Sequence, residues 1–125
     1  MKKIISSDKA PGAVGPYSQA VMTEKLLFIS GQIPIDPVTG KIIEGGIAEQ
    51  TRQVIKNIGA ILESAGIEFS NIVKTTVYLK NIEDFSEMNK VYASSFSSDF
   101  PARAAFEVSA LPLGALVEIE AVASL

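Results

Sequence analysis

Apolar residues recur at three- and four-residue intervals through IAEQTRQVIKNIGAILESAG, residues 47–66. Ile47, Thr51, Val54, Ile55, Ile58, Ile61, Leu62 and Ala65 fall on one face, which predicts an amphipathic helix. Gly66 suits the left-handed residue that ends such a helix. The period then drops to two in IVKTTVYLK. Val73, Thr75, Val77 and Leu79 share one side and Lys74, Thr76, Tyr78 and Lys80 the other, which predicts a strand. NIEDFSEMNKVYASSF returns to helical spacing, with Phe85, Met88, Tyr92 and Phe96 as its stripe and Asn81 or Asp84 as its cap.

KLLFIS reads as a strand ending at Ser30-Gly31, and RAAFEV and LVEIEAVAS as two strands closing the chain. APGAVGPYSQA is a loop punctuated by prolines and glycines, and IDPVTGK is a turn. The order is β-β-β-α-β-α-β-β. It predicts one α+β domain over residues 1–125, a mixed sheet with both helices on one face. The opposite face then has no third layer. LLFIS and AAFEV lack the polar half expected of a strand wetted on one side. Either a second copy of the chain covers that face, the reading preferred here, or the sheet curls strongly upon itself.

Composition narrows the chemistry. The 125 residues carry a net charge of −3 and contain neither cysteine nor histidine. Disulfides and thiolate nucleophiles are excluded, and the usual zinc site, the Ser-His-Asp triad and the commonest general base go with them. Lys2-Lys3 is the longest cationic run, so there is no electrostatic footprint for nucleic acid. The N-terminus MKKIISSDKAPG has no apolar run long enough for a signal peptide, and no stretch suggests a membrane span. A cytoplasmic protein is expected, in keeping with the absence of cysteine.

Within these limits a few polar residues stand out. Arg103 lies near the start of the apolar strand in FPARAAFEV and needs an anion if it is buried. Glu118 and Glu120, two residues apart, share a face of an apolar strand. They are an edge charge pair in water, a structural ion pair with Arg103, or a carboxylate that handles a water or a proton while Arg103 stays free for a ligand. Asn89 flanks the second helix's stripe. Tyr17 follows Gly15-Pro16, and Ser30-Gly31 ends a strand. Singly, each of these also has an ordinary structural explanation.

Their combination is specific. GPYSQA at 15–20, SGQIPIDPVTGK at 30–41, VKTTVYL at 73–79, MNKVY at 88–92 and FPARAAFEVSALPLGALVEIEA at 100–121 occur in one order and spacing. The chain thereby resembles, over essentially its whole length, the RidA family (also called YjgF or UK-type). The resemblance implies a chorismate-mutase-like fold, a homotrimer, and three ligand clefts between neighbouring subunits. It further implies hydrolysis of reactive enamines and imines, chiefly 2-aminoacrylate, 2-aminocrotonate and their imine tautomers, to 2-keto acids and ammonia without metal or cofactor. Arg103 matches the arginine that grips the substrate carboxylate, and Glu118 the carboxylate that positions the attacking water. Tyr17, Ser30 and Asn89 match pocket-lining polar residues. Gly31 and Ala105 match positions whose backbone faces the ligand. Ala105 stands where many relatives carry cysteine, so no thiol is available there. Two other functions compete: a regulatory module that binds a 2-keto acid without turning it over, and, less favoured, RNA cleavage or translation inhibition as in some relatives.

Overall fold

The structure is a computed structural model describing residues 2–125. The strands are β1 (Lys3–Ile5), β2 (Ala20–Met22), β3 (Leu26–Gln32), β4 (Ile35–Asp36), β5 (Lys41–Ile42), β6 (Ile72–Leu79), β7 (Ala102–Glu107) and β8 (Val117–Ser124), and the helices are α1 (Ile47–Ser64) and α2 (Phe85–Ala93). Six strands form one mixed sheet in the order β1-β2-β3-β8-β6-β7. Only β6 and β7 run parallel. A parallel neighbour requires a crossover, and α2 is that crossover. The predicted element order is present, with one addition: the turn at IDPVTGK is flanked by β4 and β5, which pair as a small separate ladder.

One face of the sheet carries the core. Leu27 and Ile29 of β3, Thr75, Val77 and Leu79 of β6, and Val117, Ile119, Ala121 and Ala123 of β8 are all buried there. They pack beneath Val54, Ile58, Ile61 and Leu62 of α1 and Met88 and Tyr92 of α2. Both helices therefore lie on one side, as the alternating pattern requires. α1 ends where expected, with Gly66 at φ +76° in the region a side chain disfavours. The other face carries Phe28, Lys74, Thr76, Tyr78, Phe106, Glu118, Glu120 and Val122. Phe28 and Phe106 remain 44% and 45% exposed, so no curl of the sheet covers them.

Four expectations are corrected by tertiary contacts. The apolar run of FPARAAFEV, which reads as a buried strand, is not buried within this chain: as β7 it forms an edge of the sheet, and five of its six residues are exposed. Val73 does not join Thr75, Val77 and Leu79. The register against β8 slips between Ile72 and Lys74, so Ile72 takes the inward place and Val73 turns outward. β3 does not stop at Ser30-Gly31 but continues to Gln32, past a slip against β8. Neither Asn81 nor Asp84 caps α2 with its side chain. Instead the Glu107 carboxylate, arriving from β7, accepts from the Ile82 N–H at 2.9 Å at the short 3₁₀ turn that leads into α2.

Two polar residues on the buried face of α1 are explained in the same way. Asn57 donates to the carbonyls of Ile33 and Ile35, at 3.3 and 3.0 Å. Gln50 accepts from the Leu116 N–H at 2.8 Å, tying the approach to β8 against the helix. Among the described residues, no helix is long and apolar enough to cross a membrane.

Candidate active site

Arg103 pairs with Thr75 in the parallel β6–β7 ladder and so points toward the helices, as Thr75 does. Its Nη1 donates to Asn89 Oδ1 at 2.7 Å. The guanidinium carbon lies 4.8 Å from the Tyr92 ring centre and 5.4 Å from that of Phe85. Tyr92 is fixed from beneath: its hydroxyl and Thr75 Oγ1 are 2.7 Å apart in the core. Burial pushes the Tyr92 hydroxyl above its ordinary pKa, against smaller opposing effects from Thr75 and Arg103. A cavity of about 430 Å³ opens beside this group, lined by Asn89, Tyr92, Ala93, Phe100, Pro101 and Arg103. The only ion pair among the described residues joins Lys9 to Glu63 elsewhere, so Arg103 has no carboxylate partner among them.

Ala105 follows two residues along β7, half-buried opposite Val77. Val108 donates to the Leu79 carbonyl at 2.9 Å. Strand alternation then turns the N–H groups of Ala104 and Phe106 toward β6 and those of Arg103, Ala105 and Glu107 toward the free edge. A ligand carboxylate at that edge meets both a guanidinium and unpaired backbone donors.

The other candidates gather elsewhere. Ser30 Oγ donates to the Ser18 carbonyl at 2.6 Å and the Ser30 N–H to the Gln19 carbonyl at 3.0 Å, which straps the Tyr17 loop to the end of β3. Tyr17 is itself half-exposed, its ring beside Gly15. Gly31 lies against Glu118. A Cβ at position 31 would stand 2.9 Å from the carboxyl carbon of Glu118, with a carboxylate oxygen closer still. The glycine thus leaves room for the position taken by a side chain on the next strand, a reason invisible in the local sequence.

Glu118 and Glu120 pair across β6 with Tyr78 and Thr76, on the face turned away from the helices. The expectation of a shared face holds, but the two carboxylates differ. Tyr78 donates its hydroxyl to Glu120. That bond, then burial and the charges of both glutamates, raises the Tyr78 hydroxyl to about 12, so it remains a donor at any working pH. Glu118 is half-buried with no hydrogen-bond partner among the described residues. Burial and, secondarily, the neighbouring Glu120 charge push it above the ordinary carboxylate range.

Within a single chain, two structural explanations for the glutamates fall away. β8 is interior to the sheet, so they are not an edge pair. Arg103 projects from the opposite face, two strand spacings from β8, or about 10 Å laterally, so it forms no ion pair with either glutamate in the same chain. The candidates instead form two half-sites: Arg103, Asn89 and Ala105 at the β7 edge, and Tyr17, Ser30, Gly31 and Glu118 near the end of β3. Tyr92 and Phe85 beneath Arg103, and Tyr78 on Glu120, were not anticipated. The first two appear in the sequence only as members of an apolar stripe.

Residues 7–125 match the family model described as Endoribonuclease L-PSP. The chain is 54% identical over 123 residues to a human protein named 2-iminobutanoate/2-iminopropanoate deaminase, a match covering 98% of this chain and 90% of the human one. Its fold superposes on that of YyfA from Yersinia pestis, a protein of unknown function in the conserved Rid family, with a TM-score of 0.98, 52% identity and full coverage of both chains. It also superposes on Escherichia coli TdcF, solved with bound serine, with a TM-score of 0.94, 39% identity and 98% of each chain covered. With its fold, its motifs and nearly its whole length matched in this way, the chain belongs to the Endoribonuclease L-PSP family, the RidA/YjgF proteins.

Proposed function

We propose that this protein is an imine deaminase that hydrolyses 2-imino acids, formed from enamines such as 2-aminoacrylate and 2-aminocrotonate, to 2-keto acids and ammonia. It acts as a homotrimer in the cytoplasm, at clefts between subunits. The observation that carries the reading is the division of the site. Among the described residues Arg103 has no acid partner and Glu118 no hydrogen-bond partner, and a sheet stands between them. One copy offering its β7 edge to the Glu118 face of another completes the constellation and covers Phe28 and Phe106. The identity to a named deaminase over nearly the whole chain supports the chemistry.

The reaction asks little of the protein. The substrate carboxylate takes two parallel hydrogen bonds from the planar guanidinium of Arg103, and the Ala105 N–H is available beside it. Glu118 orients a water onto the imine carbon and accepts one of its protons as the C–O bond forms. Starting from the protonated imine, Glu118 returns that proton to the nitrogen of the tetrahedral intermediate, which then leaves as ammonia while the hydroxyl passes its own proton to Glu118 and the carbon closes to a ketone. Positioning and one proton acceptor suffice, because the substrate nitrogen supplies its own basicity. Ala105 contributes backbone only, so the missing thiol leaves this scheme intact.

The direct test adds the protein to a threonine dehydratase reaction and follows 2-oxobutanoate. Its release is expected to accelerate. An unchanged rate, with 2-oxobutanoate nonetheless binding, would reassign the cleft to a keto-acid-binding module. Light scattering at micromolar concentration is expected to give three times the 13.3 kDa chain mass. A stable monomer would leave the half-sites apart and end the shared-cleft reading.

A further inference from the structure

Among the described residues, the groups that hold Arg103 are all neutral. Asn89 Oδ1 takes a hydrogen bond from one guanidinium nitrogen at 2.7 Å, and the rings of Tyr92 and Phe85 lie at 4.8 and 5.4 Å from the guanidinium carbon. Tyr92 is fixed through its hydroxyl contact with Thr75. The acid that shares Arg103's strand face, Glu107, is engaged with the Ile82 N–H. A guanidinium has five donors in a planar fork, and its preferred protein partner is a carboxylate, which meets it in bidentate fashion and neutralises it. An amide oxygen fixes the direction of the fork and leaves both the charge and the remaining donors available. Aspartate would place a carboxylate oxygen at almost the same point.

We propose that Asn89 is a positioning residue for Arg103, and that its being an amide rather than an acid keeps the guanidinium unneutralised and open to a ligand carboxylate. Asn89 then acts on the substrate through Arg103, with the Tyr92 ring as the platform that stops the fork from rotating. This differs from the pocket-lining role that family resemblance gives Asn89. It rests on the reading above in which Arg103 receives the substrate carboxylate.

The inference makes two substitutions unequal in an uncommon direction. Asn89→Ala removes the holder and keeps the charge free. Asn89→Asp keeps a holder of the same shape and supplies a competing carboxylate. Calorimetric titration of the assembled protein with 2-oxobutanoate near neutral pH is expected to show Asn89→Ala weaker than wild type by about two- to fivefold, the scale of one lost orienting hydrogen bond. Asn89→Asp is expected to be weaker by at least about tenfold, because an internal charge pair must be broken before the ligand binds. Asn89→Asp is also expected to melt no lower than Asn89→Ala, since the new acid gains a partner. In turnover the same order is expected in KM.

The reverse order, with Asn89→Ala the weaker binder, would show that the amide touches the ligand and would overturn the proposal. So would an Asn89→Asp affinity equal to wild type, or a wild type that binds no 2-oxobutanoate. The predicted order without any acceleration of keto-acid release would keep this inference and sink the deaminase reading.

Discussion

Arg103→Ala is expected to lose imine hydrolysis and to retain both its trimer and its melting temperature to within a few degrees. The side chain projects from an edge strand, and its contacts within the chain are one hydrogen bond to Asn89 and the rings of Tyr92, which is buried, and Phe85, which is half-buried. The hydrogen bond, with its charged donor, is worth about 1.5 kcal/mol at this solvent-facing position and each ring about 0.5–1 kcal/mol. Two hydrogen bonds to a charged group, by contrast, contribute about 3–6 kcal/mol, so kcat/KM is expected to fall by about two to four orders of magnitude. Kinetics and thermal melts on the same preparation decide the matter. Were Arg103 instead one half of a fixed ion pair across the subunit interface, its loss would leave a buried carboxylate unpaired. The assembly would then lose about 3–5 kcal/mol, a fall in melting temperature of roughly 10 °C or more. That outcome would return Arg103 to a structural role.

Glu118→Gln and Glu120→Gln are expected to part company. Glutamine at 118 keeps the shape that Gly31 accommodates and can still hold a water, but it cannot take the water's proton. Turnover is expected to drop by about 10²–10⁴-fold with 2-oxobutanoate affinity little changed. Glu120 is bonded to Tyr78 rather than open, so Glu120→Gln is expected to stay near wild type in turnover at neutral pH. The two are linked through pH. Burial, and then the Glu120 charge, raise Glu118 above 4.5, and a protonated Glu118 accepts nothing. The acid limb of kcat/KM is therefore expected above the ordinary carboxylate range. Glu120→Gln removes the smaller cause, so the limb is expected to move to lower pH without reaching 4.5. A raised carboxyl also means that the fold prefers the protonated form: its ionised form opposes stability above the unfolded value and is relieved as pH falls. Glu118→Gln is thus expected to melt no lower than wild type. Equal losses of turnover in the two variants, or a larger one for Glu120→Gln, would sink the assignment of the water to Glu118.

How far the sequence carries depends on the range of each interaction. The period of α1 sufficed to place it, because helix burial is decided by residues three and four apart. The shared face of Glu118 and Glu120 followed from alternation in β8, which keeps its register with β6 there, while the extra residue of the slip against β3 lies on β3. Val73 was misplaced because a bulge depends on the pairing partner. β7 read as buried because AAFEV is apolar, yet apolarity does not say whether the cover comes from the same chain. The cap supplied by Glu107, the Tyr78–Glu120 bond and the seat of Arg103 join residues 14 to 42 positions apart. No local pattern encodes them. The site residues themselves were legible only as a constellation, by resemblance. Their separation onto two faces was not, since it depends on strand order.

The contact between Gly31 and Glu118 also constrains how this sequence can change over generations. As long as Glu118 keeps its present rotamer, even a methyl group at position 31 would overlap the carboxylate, so a side chain there obliges Glu118 to swing away. A lineage that first exchanges Glu118 for a short residue opens space beside β3, and position 31 then becomes free to drift. Once a side chain has settled there, restoring glutamate at 118 alone meets the same overlap from the other side. The return of glutamate at 118 in its present position then calls for glycine at 31 first, so the two changes on adjacent strands have a preferred order. Descendants that have abandoned hydrolysis should therefore be recognisable by a filled position 31 as much as by an altered position 118.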